Sequence, residues 1–313
     1  MKTGEMSKGI VRPDGNAVSG FILLNKKPGI TSFQALNEVK KVFSTGKVGH
    51  TGTLDKFASG LLLVLAGRAV KLAPWCSGCD KEYEGTIRFG TETDTLDPEG
   101  VPVAEAPPPD RETLEAVLPR FMGNILQTPP VYSAVHVDGK RAYALARSGT
   151  PVEMRERPVT IHALELLAFD SPLARIRVRC SKGTYIRSLA RDIARAAGSR
   201  AHLAALERTA IAGFRLSGAA DRPVPSSLRP VTPGAFAALG IPCMEADDAA
   251  VSGLRRGQPP APFLQSGAVR FFPGEEDLSP DCAGVFDKNG ALIAVIEKKD
   301  GGRWGYGYVY AGA

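Results

Sequence analysis

One acidic side chain stands in a segment built mainly of small and polar residues. Residues 49–62 read GHTGTLDKFASGLL, and Asp55 comes just before a dense apolar run. Small residues let a ligand approach the backbone closely, and a carboxylate can act as a nucleophile or stabilise a cation that forms beside it. The residue types alone nevertheless favour an aspartate that only caps free amides at a helix N-terminus. Asp55 is therefore a candidate nucleophile whose role depends on its surroundings.

Three other kinds of site are not supported by the spacing of their residues. A P-loop needs Ser or Thr directly after its lysine, whereas Val48 follows Lys47. Cys76 and Cys79 form a lone CxxC, without the second pair or the histidine pair of a zinc site. The histidines have neither metal-ligand spacing nor an adjacent Ser or Cys nucleophile; they are His50, His136, His162 and His202. The sequence therefore predicts neither nucleotide hydrolysis nor a bound metal.

The distribution of charge favours a polyanionic partner. The 313 residues carry a formal net charge of +6, from 39 Lys and Arg against 33 Asp and Glu. Residues 1–240 hold a net charge of +9 and residues 241–313 a net charge of −3. Lysines and arginines that neutralise phosphates release counterions, so a basic body is typical of proteins that bind nucleic acid.

Several other features exclude classes of protein. No apolar run approaches the roughly 20 residues of a membrane span, and the first residues do not look like a secretory signal. Five scattered cysteines are not a disulfide framework. We expect a cytoplasmic protein without a membrane segment.

The elements before and after Asp55 mix strands with helices. Residues 21–24 are an apolar strand, and Thr31 with Gln34 three residues later predicts a capped helix. Residues 81–90 alternate as a strand. Four apolar residues at helical spacing predict one buried face of the first helix: Phe33, Leu36, Val39 and Phe43.

The rest of the chain continues this mixture. Residues 174–180 alternate as a strand, and a helix follows that Gly198 closes. Residues 127–157 show no period and are expected to be a basic surface insertion. Four prolines in residues 221–234 indicate a linker, after which Asn289-Gly290 predicts a hairpin between short strands. Because strands and helices mix without regular alternation, we predict an α+β fold.

Several motifs in a fixed order resemble the TruB family, the bacterial tRNA pseudouridine synthases that act on the T-loop uridine (tRNA position 55). Residues 49–62 are similar to its catalytic motif, and residues 81–83 and 91–95 are similar to its second motif. Residues 180–188 and 198–208 are similar to its third motif, and 132–136 and 139–143 to its RNA-clasping insertion. The resemblance spans about residues 20–215.

The resemblance implies roles for six residues. Asp55 corresponds to the nucleophile, Arg187 to the arginine that pairs with it, and Tyr83 to the aromatic residue that stacks on the base. The other three are expected to turn out or surround the base: His50, Tyr185 and Leu206. Two positions depart from the family pattern, since Lys56 and Leu63 stand where proline is frequent.

The resemblance also implies a domain plan and a partner. We expect a loose lead-in at 1–19, a catalytic domain at 20–235 with a mixed, largely antiparallel sheet and an insertion at about 124–157, and a β-rich PUA-like domain at 236–313. The partner is the T-arm of tRNA, with no cofactor, no obligate protein partner and a monomeric state. The candidate phosphate contacts are Lys140, Arg141, Arg147, Arg155 and Arg157. A second basic set consists of Arg175, Arg177 and Arg179. For each of them, a side chain that is simply exposed to solvent is an equally good interpretation.

Alternatives remain open at this stage. An RNA-binding or RNA-folding protein on the same scaffold is the main one, and a synthase with another RNA target is the second. An unrelated aspartate-dependent hydrolase is the third.

Overall fold

The computed structural model describes residues 18–133, 135–137, 139–148, 152–272 and 280–310. The strands are β1 (Gly20–Lys26), β2 (Val48–His50), β3 (Ser59–Ala66), β4 (Lys81–Phe89), β5 (Thr91–Thr93), β6 (Pro102–Glu105), β7 (Gly123–Gln127), β8 (His136–Val137), β9 (Lys140–Arg141), β10 (Arg157–Asp170), β11 (Leu173–Cys180), β12 (Ala201–Ile211), β13 (Phe214–Arg215), β14 (Cys243–Ala246), β15 (Val269–Phe271), β16 (Cys282–Asp287), β17 (Leu292–Lys298) and β18 (Trp304–Val309). The helices are α1 (Ser32–Val42), α2 (Ala73–Ser77), α3 (Arg111–Val117), α4 (Ala142–Arg147), α5 (Ile186–Ala196), α6 (Pro233–Ala238), α7 (Asp248–Arg255) and α8 (Pro260–Gln265).

A large mixed sheet forms the body of the protein. Its strands run in the order β1-β3-β12-β4-β11-β10-β7, with β2 beside β3 and β13 beside β12. The pairings are antiparallel except that of β3 with β12, which is parallel. Strand alternation sends Tyr83 and Ile87 of β4 to the face that α3 and α5 cover. The α+β class with a mixed, largely antiparallel sheet is therefore confirmed.

The helix α1 begins as its sequence predicts but buries a different face. Thr31 and Gln34 form the reciprocal capping box, and Leu36, Val39 and Phe43 are buried. Phe33 is 65% exposed, so its assignment to the buried face was wrong. Phe33 follows the buried Ser32 by one residue, which turns it about 100° around the helix and away from the sheet.

The predicted insertion leaves and rejoins the sheet at one point. Gln127 of β7 pairs with Arg157 of β10, so the residues between them loop out from neighbouring strand ends. Not all of this stretch is surface, because Gln127, Ser133 and Val135 are buried.

A second, five-stranded sheet follows in the order β15-β14-β16-β17-β18. The hairpin at Asn289-Gly290 joins β16 to β17 as predicted. Apolar residues of this sheet, among them Phe286 and Val295, share a core with Leu61 and Leu63 of β3. The division of the chain at 235/236 stays a prediction, and the two sheets are packed against each other.

In the described ranges, no helix is long and apolar enough to cross a membrane, and no group of three His, Cys, Asp or Glu residues is arranged to hold a metal.

Candidate active site

The loop that carries Asp55 is held from two directions. It connects β2 to β3, so the apolar run after Asp55 is a strand and Asp55 does not cap a helix. The buried hydroxyl of Ser32, in the first turn of α1, accepts a hydrogen bond from Leu54 N at 2.8 Å and donates one to Leu54 O at 3.0 Å. Thr51 N donates to Leu63 O of β3 at 3.1 Å. The backbone on the N-terminal side of Asp55 is thereby fixed to both a helix and a strand.

Arg187, in the first turn of α5, pairs with Asp55. Its Nη2 donates to Asp55 Oδ1 at 3.0 Å, and its Nε lies 2.8 Å from Oδ2, close enough for an ion pair but without hydrogen-bond geometry. Only 4% of the Arg187 side chain is exposed. The same guanidinium donates to two backbone carbonyls, Thr95 O at 2.7 Å and Tyr132 O at 3.1 Å.

Asp97 is a second carboxylate on Arg187 that the sequence analysis missed. Its Oδ2 accepts from Arg187 Nη1 at 3.3 Å, and its Oδ1 accepts from Thr95 Oγ1 at 2.6 Å and Glu99 N at 3.0 Å. Asp97 is buried and does not line the cavity into which Asp55 opens. Asp97 therefore orients the guanidinium, while Asp55 faces the cavity.

Burial raises the pKa of the Asp55 carboxyl above its usual range, and the Arg187 guanidinium beside it opposes this rise. The Asp55 side chain keeps 36% of its accessible area, and that area opens into a cavity. The desolvation that raises the pKa is thus weaker while water fills the cavity and stronger when a substrate displaces that water.

The cavity beside Asp55 has a volume of about 300 Å³. Its walls include four of the residues that the sequence analysis named with Asp55, namely Tyr83, Tyr185, Arg187 and Leu206. Tyr83 and Leu206 are 9% and 8% exposed. Burial raises the pKa of Tyr83, and the nearby Arg208 guanidinium opposes this rise. A flat aromatic side chain and an aliphatic one in the same cavity suit a planar ring.

Tyr185 is positioned through its backbone. Its N donates to Gln127 Oε1 at 2.8 Å and its O accepts from Gln127 Nε2 at 3.2 Å. Tyr185 and the buried Ser133 both line the cavity. The buried Gln127 thus ties the start of α5 to the strand from which the insertion departs.

His50 is the predicted site residue that the structure does not bring to the cavity wall. It ends β2, and its buried Nδ1 has no hydrogen-bond partner among the described residues. Burial lowers the pKa of His50, and Arg208 lowers it further, so the imidazole is neutral at pH 7.

Three buried cations near Asp55 carried no predicted role. Lys26 Nζ donates to Ile30 O at 2.8 Å and Lys27 O at 3.0 Å, and burial lowers its pKa to about 8. Lys81 and Arg208 line the cavity itself. Lys81 and Arg208 lie in the second and third motifs, but their residue types alone assigned them no role, because lysine and arginine are usually exposed.

The residues predicted to contact phosphates differ in whether an acidic side chain already neutralises them. Arg175 and Arg177 both bond to Glu84, so that basic strand face is largely neutralised, while Arg179 is exposed. Arg155 and Arg157 are exposed beside the insertion. The side chains of Lys140, Arg141 and Arg147 lie outside the described residues.

A larger cavity of about 470 Å³ lies where the main sheet meets the residues after α6. It shares Lys81 with the first cavity but includes neither Asp55, Tyr83 nor Arg187. The buried acid–arginine pair makes the smaller cavity the candidate active site.

Comparison with known proteins points to one family. A family model described as TruB family pseudouridylate synthase (N terminal domain) matches residues 40–186. A protein named tRNA pseudouridine synthase B from Borreliella burgdorferi (strain ZS7) is 48% identical over 201 residues, which are 63% of this chain and 71% of that protein. A protein of the same name from Francisella tularensis subsp. novicida is 47% identical over 203 residues, covering 64% and 67% of the two chains.

Solved structures share the fold at lower identity. A chain of a Cbf5-Nop10-Gar1 complex superposes with a TM-score of 0.69 at 22% identity, covering 98% of this chain and 91% of that one. A chain of the archaeal box H/ACA sRNP Nop10-Cbf5 complex superposes with a TM-score of 0.67 at 20% identity, covering 97% and 93%. The likeness covers both sheets, including the β-rich C-terminal part.

Proposed function

We propose that this chain, which belongs to the TruB family of pseudouridylate synthases, isomerises the T-loop uridine of tRNA to pseudouridine with Asp55 as its nucleophile. The observation that carries the proposal is the Asp55 carboxylate, which is paired with Arg187 and opens into a cavity walled by Tyr83 and Leu206. The relatives named tRNA pseudouridine synthase B support tRNA as the substrate.

The reaction breaks the bond between ribose C1′ and uracil N1 and joins C1′ to uracil C5, which loses its proton. Substrate and product are isomers, so the reaction requires no oxidant or reductant and no second substrate. A carboxylate contributes as a nucleophile or by stabilising positive charge. Arg187 favours the ionised form that either role needs.

The cavity requires the target base to leave its stack. Unstacking a base costs a few kcal/mol, which stacking and hydrogen bonds in the pocket recover. Tyr83 and Leu206 supply the two apolar walls, and the Tyr185 hydroxyl and Ser133 form a polar side. The cavity volume of about 300 Å³ accommodates one nucleoside, not a stacked pair.

Recognition of the tRNA would come from phosphate contacts and loop shape outside the cavity. Arg155 and Arg157 are exposed next to the insertion and serve this role in the proposal. The aromatic residues of β18 contribute less, because Trp304 and Tyr306 pack on the C-terminal core and Tyr308 and Tyr310 on the shared core. The proposed enzyme acts as a cytoplasmic monomer without an obligate partner chain.

The proposal is tested with an unmodified tRNA transcript that carries tritium at uracil C5. We expect one label to be released per tRNA and pseudouridine to be mapped to the T-loop. A transcript with cytidine at that position is the control and should release none. If the first transcript binds but releases no label, the proposed enzyme activity is contradicted. The alternative of an RNA-folding protein on this scaffold is then favoured.

A further inference from the structure

Two cations, Lys81 and Arg208, line the candidate active site, and neither has a carboxylate partner among the described residues. Arg208 is 1% exposed and Lys81 is 8% exposed. A Cβ placed on Gly52, in the loop that carries Asp55, would lie 3.5 Å from Arg208 Nη1 and 4.0 Å from Lys81 Cε. The two positive groups therefore flank the same point of the cavity wall.

Only neutral groups satisfy these two side chains in the described part of the chain. Arg208 Nε donates to Leu61 O at 2.7 Å and its Nη2 donates to Gly52 O at 3.1 Å, and its guanidinium lies near Tyr83. Lys81 Nζ donates to Ser77 O at 3.0 Å and to Cys79 O. By contrast, Arg187, which also lines the cavity, has two carboxylates.

Two buried cations next to each other are energetically unfavourable unless an anion lies beside them. A buried charge without an opposite charge loses several kcal/mol of hydration, and two like charges side by side add repulsion. Burial lowers the pKa of Lys81, and Arg208 contributes to the lowering. Buried charges that are retained in a cleft at such a cost are candidates for function.

We propose that Lys81 and Arg208 stabilise the negative charge that the uracil ring carries during the isomerisation. This inference rests on the proposed function and adds a role for two residues beyond the Asp55–Arg187 pair. The anion they meet is transient, which explains why the resting site offers them only carbonyl and hydroxyl oxygens.

The inference holds for either role of Asp55. If the C1′–N1 bond breaks first, its electron pair stays with N1 and spreads to O2 and O4 of uracil, while Asp55 compensates the positive C1′. If the carboxylate adds to C6 of the ring first, the electron pair of the C5–C6 double bond moves towards O4. Both routes place negative charge on the base, and fixed cations in a water-poor cavity stabilise developing charge strongly.

The test compares uridine with 5-fluorouridine at the target position. Fluorine withdraws electrons from the ring and stabilises the uracil anion without help from the protein. The variants are Lys81→Met, Arg208→Met and the charge-conserving Lys81→Arg. Single-turnover rates with saturating enzyme are measured as loss of the target nucleoside from nuclease digests, because fluorine at C5 leaves no hydrogen for tritium release.

We expect each Met variant to lower the rate on uridine by about 100-fold, the usual effect of removing one charge-stabilising group. On 5-fluorouridine the loss should shrink to about tenfold or less, and the loss on uridine divided by the loss on 5-fluorouridine isolates the interaction with the ring. Lys81→Arg should stay within about tenfold of wild type on both substrates. Lys71→Met, which removes an exposed cation away from the cavity, is the matched control and should leave both rates unchanged.

An equal loss on both substrates, in variants with wild-type thermal unfolding and tRNA affinity, would overturn the inference and leave these residues a structural role. If Arg208→Met does not fold, the Lys81 pair of variants decides the question alone. A wild-type enzyme that isomerises neither substrate would instead contradict the proposed function, so the two failures are distinct.

Discussion

Arg187 divides one guanidinium among two carboxylates and two backbone carbonyls, and this division limits which substitutions the position accepts. Its Nη1 serves Asp97 and Thr95 O, and its Nη2 serves Asp55 and Tyr132 O. A planar fork with several donors can hold such a set, whereas an ammonium is a single point. The geometry of Asp55 therefore depends on residues far apart in the chain.

Replacing Arg187 by Lys is expected to lower kcat/KM by about 100-fold, because one ammonium cannot orient Asp55 and Asp97 together. The acid limb of the pH profile should also move to higher pH. Burial already raises the pKa of Asp55, and the hydrogen bond from Arg187 lowers it, so losing that bond raises the pKa further. Asp55 then stays ionised only at higher pH.

The measurement is kcat/KM against pH for the wild type, Arg187→Lys and the control Arg195→Lys. Arg195 lies on the same helix and bonds to Glu92, away from Asp55. A reduced rate with an unmoved acid limb would mean that the limb does not report Asp55.

Sequence analysis found the candidate nucleophile and the arginine that pairs with it, but not the charges around them. Asp55, Tyr83, Arg187, Tyr185 and Leu206 meet at one cavity, as the resemblance implied. The missed residues, Asp97, Lys81 and Arg208, are buried by tertiary contacts between distant segments. No local pattern distinguishes a buried charge from an exposed one, because charged side chains are normally at the surface.

The elements around the site act as clamps on the loop that carries Asp55. The first turn of α1 contributes Thr31, which caps the helix, and Ser32, which bonds to Leu54. Thr31 therefore affects the stability of the helix, whereas Ser32 also affects the position of the loop. Strands β4 and β12 add Tyr83 and Leu206 from adjacent positions of the main sheet.

We expect Ser32→Ala and Thr31→Ala to destabilise the protein by similar amounts, each about 1 kcal/mol, because one loses a buried hydroxyl pair and the other a helix cap. Only Ser32→Ala should lower kcat, by about tenfold, since small displacements of a reacting group are costly. Urea unfolding and single-turnover rates measure the two effects. Equal rates in both variants would show that the Ser32 hydrogen bonds do not position Asp55.

Strands and helices with a regular apolar spacing were predictable from the sequence. Which face of a helix is buried was harder to predict. The alternation in β4 and β11 and the apolar spacing in α5 match the structure. Phe33 was misassigned because its spacing to Leu36 fits the helical period, whereas Ser32 and Ala35 are the buried residues on that side. Small residues mark the side of a helix that packs closely, and their pattern was the missed signal.

The whole molecule joins two sheets through a common core. Phe236 of α6 and Phe286 of β16 pack edge to face at 5.3 Å between ring centroids, in the core shared with β3. Sequence patterns predicted the C-terminal sheet from its hairpin and its change of charge. They could not predict this packing, because contacts between distant segments leave no periodic signature.

A shared core predicts that both sheets unfold together. The chain has two tryptophans, Trp75 on α2 at the shared core and Trp304 on β18 at the C-terminal core. In Trp304→Phe and Trp75→Phe, the remaining tryptophan reports one region each. Within each variant, we expect the fluorescence transition and the circular-dichroism transition to have the same denaturant midpoint. Two separated fluorescence transitions would instead indicate that the C-terminal sheet is an independent folding unit.

The proposal requires the Asp55 carboxylate for the isomerisation, and tritium release from uracil C5 of tRNA is the measurement that tests this requirement. Wild type and Asp55→Asn are compared side by side, with tRNA affinity measured for both. We expect wild type to release one label per tRNA and Asp55→Asn to release none, although both bind the tRNA with equal affinity. Release by Asp55→Asn at a rate near wild type would contradict the proposal.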